Sequence, residues 1–158
     1  MIAFLAALVL SASSTQAAGD PVVEAGAVLD RMHAAASRAV GDAYFDLFTP
    51  DARFIGTDAS ERWSLAQFRA YATPYFSQGK GWTYHPHDRV ATLAPGDCRC
   101  IVWFDELLDN DAYGLTRGSG VLRLTDDGWK IEQYVLSFTV PNDKAKSVVG
   151  LIAEGPAD

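Results

Sequence analysis

The sequence predicts an α+β fold, with three N-terminal helices packed on one face of a strongly curved, mostly antiparallel sheet. Three observations lead there. Apolar residues at helical spacing dominate the first half, as in Ala25, Val28, Leu29, Met32, Ala35, Ala36 and Ala39. Four strand-like runs separated by turn signals fill the second half. Gly118 and Gly120 sit inside one of those runs, where glycine permits the bend that lets a sheet curl into a cone.

Asp20-Pro21 opens the first helix, because Asp caps a helix N-terminus and Pro suits its first position. The pattern runs to Val40 and stops at Gly41. His33 reads as a partly exposed helix histidine. Asp42 to Phe48 reads as a short second helix ended by Thr49-Pro50. Arg53 to Thr57 is a short strand, and Asp58 to Trp63 is a polar loop. Ser64 and Gln67 form a capping box that starts a third helix, whose apolar side is Leu65, Phe68, Tyr71, Ala72, Tyr75 and Phe76. Pro74 thins its end. The strands then read as Trp82–Leu93, Cys98–Leu108, Leu115–Leu124 and Trp129–Val140. Asp126-Asp127-Gly128 marks a tight hairpin between the last two. The weakly patterned tail is assigned to 147–158 and the domain to 20–146.

A chain of 158 residues with 49% hydrophobic content holds one domain with a real core. Its net charge of −7 and lack of a basic cluster exclude nucleic acid as a partner, since phosphate contacts need clustered Lys and Arg. Residues 1–17 read as a signal peptide. The apolar run Ile2–Leu10 is too short to span a membrane, and Thr15 and Ala17 supply small residues before a cleavage site. The absence of Lys or Arg before that run departs from the pattern and leaves a docked apolar helix as the alternative. Export to the periplasm or outside the cell is the expectation, with the cytoplasm otherwise and no stable membrane insertion after cleavage. Cys98 and Cys100 read as small buried hydrophobes at a strand start, because a bridge across one residue closes a very small ring.

The central stretch is Ile101–Leu108, apolar on both faces yet carrying Asp105 and Glu106. Alternation puts Ile101, Trp103, Asp105 and Leu107 on one face and Val102, Phe104, Glu106 and Leu108 on the other. A strand of this kind is expected to be central and covered on both sides. Asp105 is taken as the pocket carboxylate and candidate general base, with Glu106 facing a second layer or a partner. A three-residue loop at 110–112 places Asp105 opposite Arg117; a four-residue loop moves Arg117 opposite Phe104. The pair reads either as an anchor beside a base or as a structural salt bridge. His85 and His87 share a face but lack a third ligand, so they read as edge residues and no metal is expected. Ser119 lacks the glycine spacing of a nucleophile elbow.

The chain resembles the nuclear transport factor 2-like superfamily, in particular its SnoaL-like members. The resemblance lies in Phe54-Ile55-Gly56-Thr57-Asp58, Glu61-Arg62-Trp63, Gly81-Trp82-Thr83-Tyr84, Trp103-Phe104-Asp105-Glu106 and Arg117-Gly118-Ser119-Gly120. It continues through Trp129-Lys130-Ile131, Ser137-Phe138 and Val140-Pro141-Asn142-Asp143. It implies a cone-shaped sheet whose concave face and helices enclose a cavity, and a homodimer through the open sheet face. Tyr44, Trp63, Trp82, Tyr84, Trp103, Arg117 and Tyr134 are the candidate ligand-binding residues, with no cofactor expected. The superfamily includes ketosteroid isomerases, polyketide cyclases, dehydratases, ligand-binding domains and assembly domains, so fold leaves function open. Three readings stand: a domain binding a small apolar or carbonyl compound, an isomerase-, cyclase- or dehydratase-like enzyme, and a homodimeric interaction domain without chemistry.

Overall fold

The computed structural model describes residues 19–154. The signal-peptide assignment to residues 1–17 lies outside them. The element order is α1 (Pro21–Ser37), α2 (Gly41–Phe45), β1 (Phe48–Ile55), β2 (Arg62–Ser64), α3 (Leu65–Phe76), β3 (His85–Leu93), β4 (Ile101–Asn110), β5 (Gly114–Thr125), β6 (Gly128–Phe138) and α4 (Ala145–Ala153).

Local chemistry starts and stops these elements much as expected. Asp20 Oδ1 accepts from the Val22 N–H, and Pro21 fills the first turn of α1. Ser64 and Gln67 complete the capping box of α3. Pro74 is inside α3, which ends two residues later at Phe76. Asp126-Asp127 is a two-residue hairpin loop between Thr125 and Gly128, whose φ of 93° suits the turn.

Four assignments change. The second helix is one turn long and ends at Phe45, because Phe48 and Thr49 already belong to β1. Arg62–Ser64 is a strand paired antiparallel with β1, not the end of a loop. The tail forms α4 instead of an unpatterned end. The described residues therefore hold four helices, one of them C-terminal, rather than three N-terminal ones. Cys98 and Cys100 are joined in a disulfide on the β3–β4 turn, with Cys98 exposed and Cys100 half-buried. Arg99 closes the small ring by adopting a φ of 46°.

The six strands form one curved, unclosed sheet in the order β2-β1-β6-β5-β4-β3. All pairs are antiparallel except β1 with β6. Helices α1, α2 and α3 cover one face. Buried Val28, Leu29, Met32 and Ala36 of α1 and Phe68, Ala72 and Phe76 of α3 meet Val102, Phe104, Leu122, Ile131 and Tyr134 of the sheet. Tyr44 and Phe45 plug the space between the helices, their rings 5.0 Å apart. Phe54 and Phe68 stack at 3.9 Å, and pairs of this kind contribute about 0.5–1.5 kcal/mol beyond their buried area.

β4 is next to the edge strand and is covered on one side only among the described residues. Val102, Phe104, Glu106 and Leu108 are buried, whereas Trp103 on the other face is 49% exposed. The expectation of a strand covered on both sides is thus corrected. The register is also new. Asp105 lies opposite Ser119, Leu107 opposite Arg117 and Trp103 opposite Val121. The loop has three residues, as in the first alternative, but lies one residue later, at 111–113, since Asn110 still pairs with Gly114, where φ is 65°.

Candidate functional site

His33 follows Leu29 by four residues and precedes Ala36 by three, so it falls in the buried stripe of α1. It is 8% exposed, which corrects the reading of a partly exposed histidine. Its Nε2 lies 2.7 Å from Oε1 of Glu106, a side chain with no exposed surface. Glu106 Oε2 accepts from Arg89 Nε at 2.7 Å. Arg89 also donates to the Gly26 carbonyl at 3.0 Å and meets Asp30 Oδ1 at 2.8 Å. One cation therefore clamps β4 to α1.

Arg89 reaches this position because β3 bulges. The β3–β4 register shifts between His87 and Val90, and Asp88 takes a φ of 48°. A bulge re-aims the next side chain, and Asp is among the few non-glycine residues that tolerate this backbone region.

Burial pushes the Glu106 carboxyl upward. The His33 hydrogen bond and charge, with those of Arg89, outweigh burial and hold it below the ordinary carboxylate range. Glu106 is therefore a carboxylate, able only to accept, and the His33 Nε2 must carry the hydrogen that it donates. Burial likewise works against the Arg89 charge, and Glu106 and Asp30 restore it and raise its pKa.

His33 forms part of the wall of a cavity of about 180 Å³. The rest is mostly aromatic: Tyr44, Phe54, Trp63, Phe68, Trp82 and Tyr134, with Tyr84, Tyr71 and Tyr113 also contributing. Gly56, Thr57 and Glu61 add polar groups. Three phenols are held protonated. Burial raises Tyr134 well above its ordinary value, helped by the Glu106 charge and by Tyr44 and Tyr84. Burial also raises Tyr44, and it pushes Tyr84 up to about 12. These hydroxyls are donors over the whole working pH range.

Gly118 makes room for Tyr134. It lies opposite Glu106 on one side and Leu136 on the other. A Cβ there would collide with the Tyr134 hydroxyl and crowd Leu108 Cδ1.

Of the eight residues singled out in the sequence, Tyr44, Trp63, Trp82, Tyr84 and Tyr134 line this cavity. Asp105, Trp103 and Arg117 do not. Asp105 and Arg117 are on the outer face, half-exposed, and meet diagonally at 3.8 Å. The inward carboxylate is Glu106, so the choice between the two neighbours is reversed. His33 and Arg89 were missed. The spacing of His33 from Leu29 and Ala36 was a usable signal; nothing local pointed to Arg89, whose placement depends on the bulge. His85 and His87 are on the edge strand, and His87 meets Asp88 and Asp109 at 3.1 and 3.4 Å.

The fold is an open curved sheet backed by helices, and His33, bonded to the buried Glu106, stands in the wall of an aromatic cavity. The chain matches the SnoaL-like domain family over residues 26–141 and belongs to it. No curated protein sequence matches it. Among solved structures it is similar to a candidate dehydratase of the NTF2-like family from Streptomyces avermitilis. That pair shows 13% identity and a TM-score of 0.64 over 77% of this chain and 97% of the other. A candidate scytalone dehydratase from Novosphingobium aromaticivorans gives 8% identity and 0.61 over 75% and 83% of the two chains. A candidate ketosteroid isomerase from Shewanella frigidimarina gives 19% identity and 0.57 over 72% and 94%. At these identities the likeness is one of fold.

Proposed function

We propose that the chain is an acid–base enzyme of the isomerase or dehydratase kind, acting on a small apolar molecule that carries a carbonyl or hydroxyl oxygen. The observation that carries this reading is His33, which stands in the wall of an aromatic cavity and is bonded to the buried Glu106. Glu106 fixes the ring's tautomer by accepting from Nε2, so a proton exchanged with a bound molecule passes through Nδ1. Arg89 keeps Glu106 ionised and fixed in place. The protonated Tyr44, Tyr84 and Tyr134 phenols offer hydrogen bonds to the substrate oxygen, and the aromatic walls bind its apolar body. A cavity of about 180 Å³ suits one six-membered ring with small substituents, since about 150 Å³ holds benzene.

The test is proton exchange in deuterated water, followed by NMR over a panel of single-ring ketones and alcohols. The wild type is expected to exchange or eliminate on at least one, and His33→Gln to lose at least about a hundredfold in rate, the usual share of a general base. Trp63 and Trp82 line the cavity, so quenching of tryptophan fluorescence reports binding in both proteins. Binding without exchange by the wild type would favour the second reading, a ligand-binding domain, which the apolar lining supports equally. Equal exchange by His33→Gln would refute the role of the dyad.

Two further proposals rest on surface features. The outer sheet face exposes Val90, Trp103 and Leu115, which supports a homodimer through that face. The disulfide supports export, because such bonds persist in oxidising compartments. Native mass spectrometry of the protein from its own host reads mature mass and oligomeric state together; a full-length monomer would refute both.

A further inference from the structure

The Cys98–Cys100 bridge is the one covalent cross-link among the described residues, and its geometry fits poorly with a stabilising role. It joins residues two apart in sequence. A disulfide stabilises chiefly by closing a long loop in the unfolded chain, and a ring this small removes the least freedom. The turn around it is already held by the backbone. Ala94 N–H donates to the Ile101 carbonyl at 2.9 Å, and Leu124 N–H donates to the Cys100 carbonyl at 2.8 Å. The β3–β4 pairing continues through Leu93 and Val102. Reduction would leave those bonds intact.

Two other features favour chemistry at this bond. Cys98 is exposed, so a dissolved thiol can reach its sulfur. Arg99 stands between the two cysteines with a φ of 46°, an uncommon conformation for a side chain of its kind. Opening the ring frees Arg99 to relax, which favours the reduced form relative to a bridge without that constraint. The positive charge of Arg99, next in sequence to both cysteines, also favours the thiolate that the opening bond releases.

We propose that Cys98 and Cys100 form a reversible thiol–disulfide exchange site whose reaction partners are external thiols. An incoming thiolate attacks Cys98 Sγ. A new S–S bond forms to Cys98, the Cys98–Cys100 bond breaks, and Cys100 leaves as a thiolate that takes up a proton from solvent. A second external thiolate then attacks the external sulfur of the mixed disulfide. It releases Cys98 as a thiolate, so that two electrons enter the pair and two external thiols leave as one disulfide. The site is separate from the cavity. It sits at the start of β4, whereas Tyr84 and Tyr113 flank the far end of the β3–β4 hairpin. A ten-residue strand puts roughly 30 Å between those ends.

The experiment uses the full chain equilibrated in buffers of glutathione and glutathione disulfide, quenched by alkylation and read by mass. The dithiol form is expected to appear and to re-oxidise reversibly across these buffers, with the far-ultraviolet circular dichroism unchanged. In Cys100→Ser, glutathione is expected to accumulate on Cys98 as a mixed disulfide. Arg99→Glu is expected to slow exchange at least fivefold, because an anion replaces the cation next in sequence to the leaving cysteine. A bridge that stays oxidised in a large excess of reduced glutathione, or that opens only as the circular dichroism signal is lost, would overturn the proposal. An unchanged exchange rate in Arg99→Glu would overturn the role given to that residue.

Discussion

Glu106→Gln separates the two opposing effects on the buried carboxyl group. If burial won, Glu106 would be a neutral acid and Gln a near-isosteric replacement of little cost. The geometry says otherwise. Arg89 Nε and His33 Nε2 both approach at 2.7 Å and both donate, which needs two acceptor oxygens. Gln offers one. With its oxygen toward Arg89, its NH₂ faces the His33 Nε2–H, and the ring must surrender that proton. The His33 bond falls from about 1.5–3 kcal/mol to a neutral bond at about 0.5–1.5 kcal/mol, and the Arg89 bond loses the charge of its acceptor. The expected loss is about 2–3 kcal/mol, below the 3–5 kcal/mol of breaking a buried pair outright because Arg89 keeps Asp30 and the Gly26 carbonyl. At about 2–4 °C per kcal/mol for a chain of this size, Tm falls by about 5–10 °C. The assay is thermal unfolding by circular dichroism from pH 7 to pH 3. Folding depresses the Glu106 carboxyl, so its contribution is complete above the ordinary value of 4.5 and is lost as pH falls through the lower folded value. The gap between wild type and variant should close below pH 4.5. A Tm difference under about 2 °C at pH 7, or a gap that does not change with pH, would refute the ionised clamp.

Three other outcomes follow from the same geometry. Gly118→Ala drives a methyl group into Tyr134, costs about 1–3 kcal/mol by overpacking and should weaken cavity binding by at least tenfold, read by tryptophan quenching. Asp105→Asn should leave stability within about 0.5 kcal/mol by denaturant unfolding, because its pair with Arg117 is long and half-exposed on both sides. In a phenolate absorbance titration of the native protein, Tyr44, Tyr84 and Tyr134 should stay protonated at about pH 11, so that all six tyrosines ionise there only after denaturation. Early ionisation of all six would mean that water reaches the cavity wall freely.

Much of the fold was legible because its signals are local. The Asp20-Pro21 cap, the Ser64–Gln67 box and the Asp126-Asp127-Gly128 hairpin depend on residues within a few positions of one another, and each forms as read. The aromatic side of the site was legible for a related reason. Tyr44, Trp63, Trp82, Tyr84 and Tyr134 are large and amphipathic, and a cavity between helices and sheet collects such residues.

The polar half of the site was not legible. Asp105 and Glu106 are adjacent, and each face of β4 offers three apolar neighbours, so alternation separates the carboxylates without saying which points inward. That choice was made when α1 packed on the face holding Val102, Phe104 and Leu108. Arg89 depends on a one-residue bulge in an edge strand, and the exchange of partners that produces it has no sequence period. The sequence by itself determined the α+β class, the order of the four long C-terminal strands and the aromatic composition of the cavity, because propensity, capping and periodicity act over short distances. Tertiary structure alone decided that His33, Glu106 and Arg89 meet, because a charge network spanning residues 33 to 106 exists only once helix and sheet have closed over it.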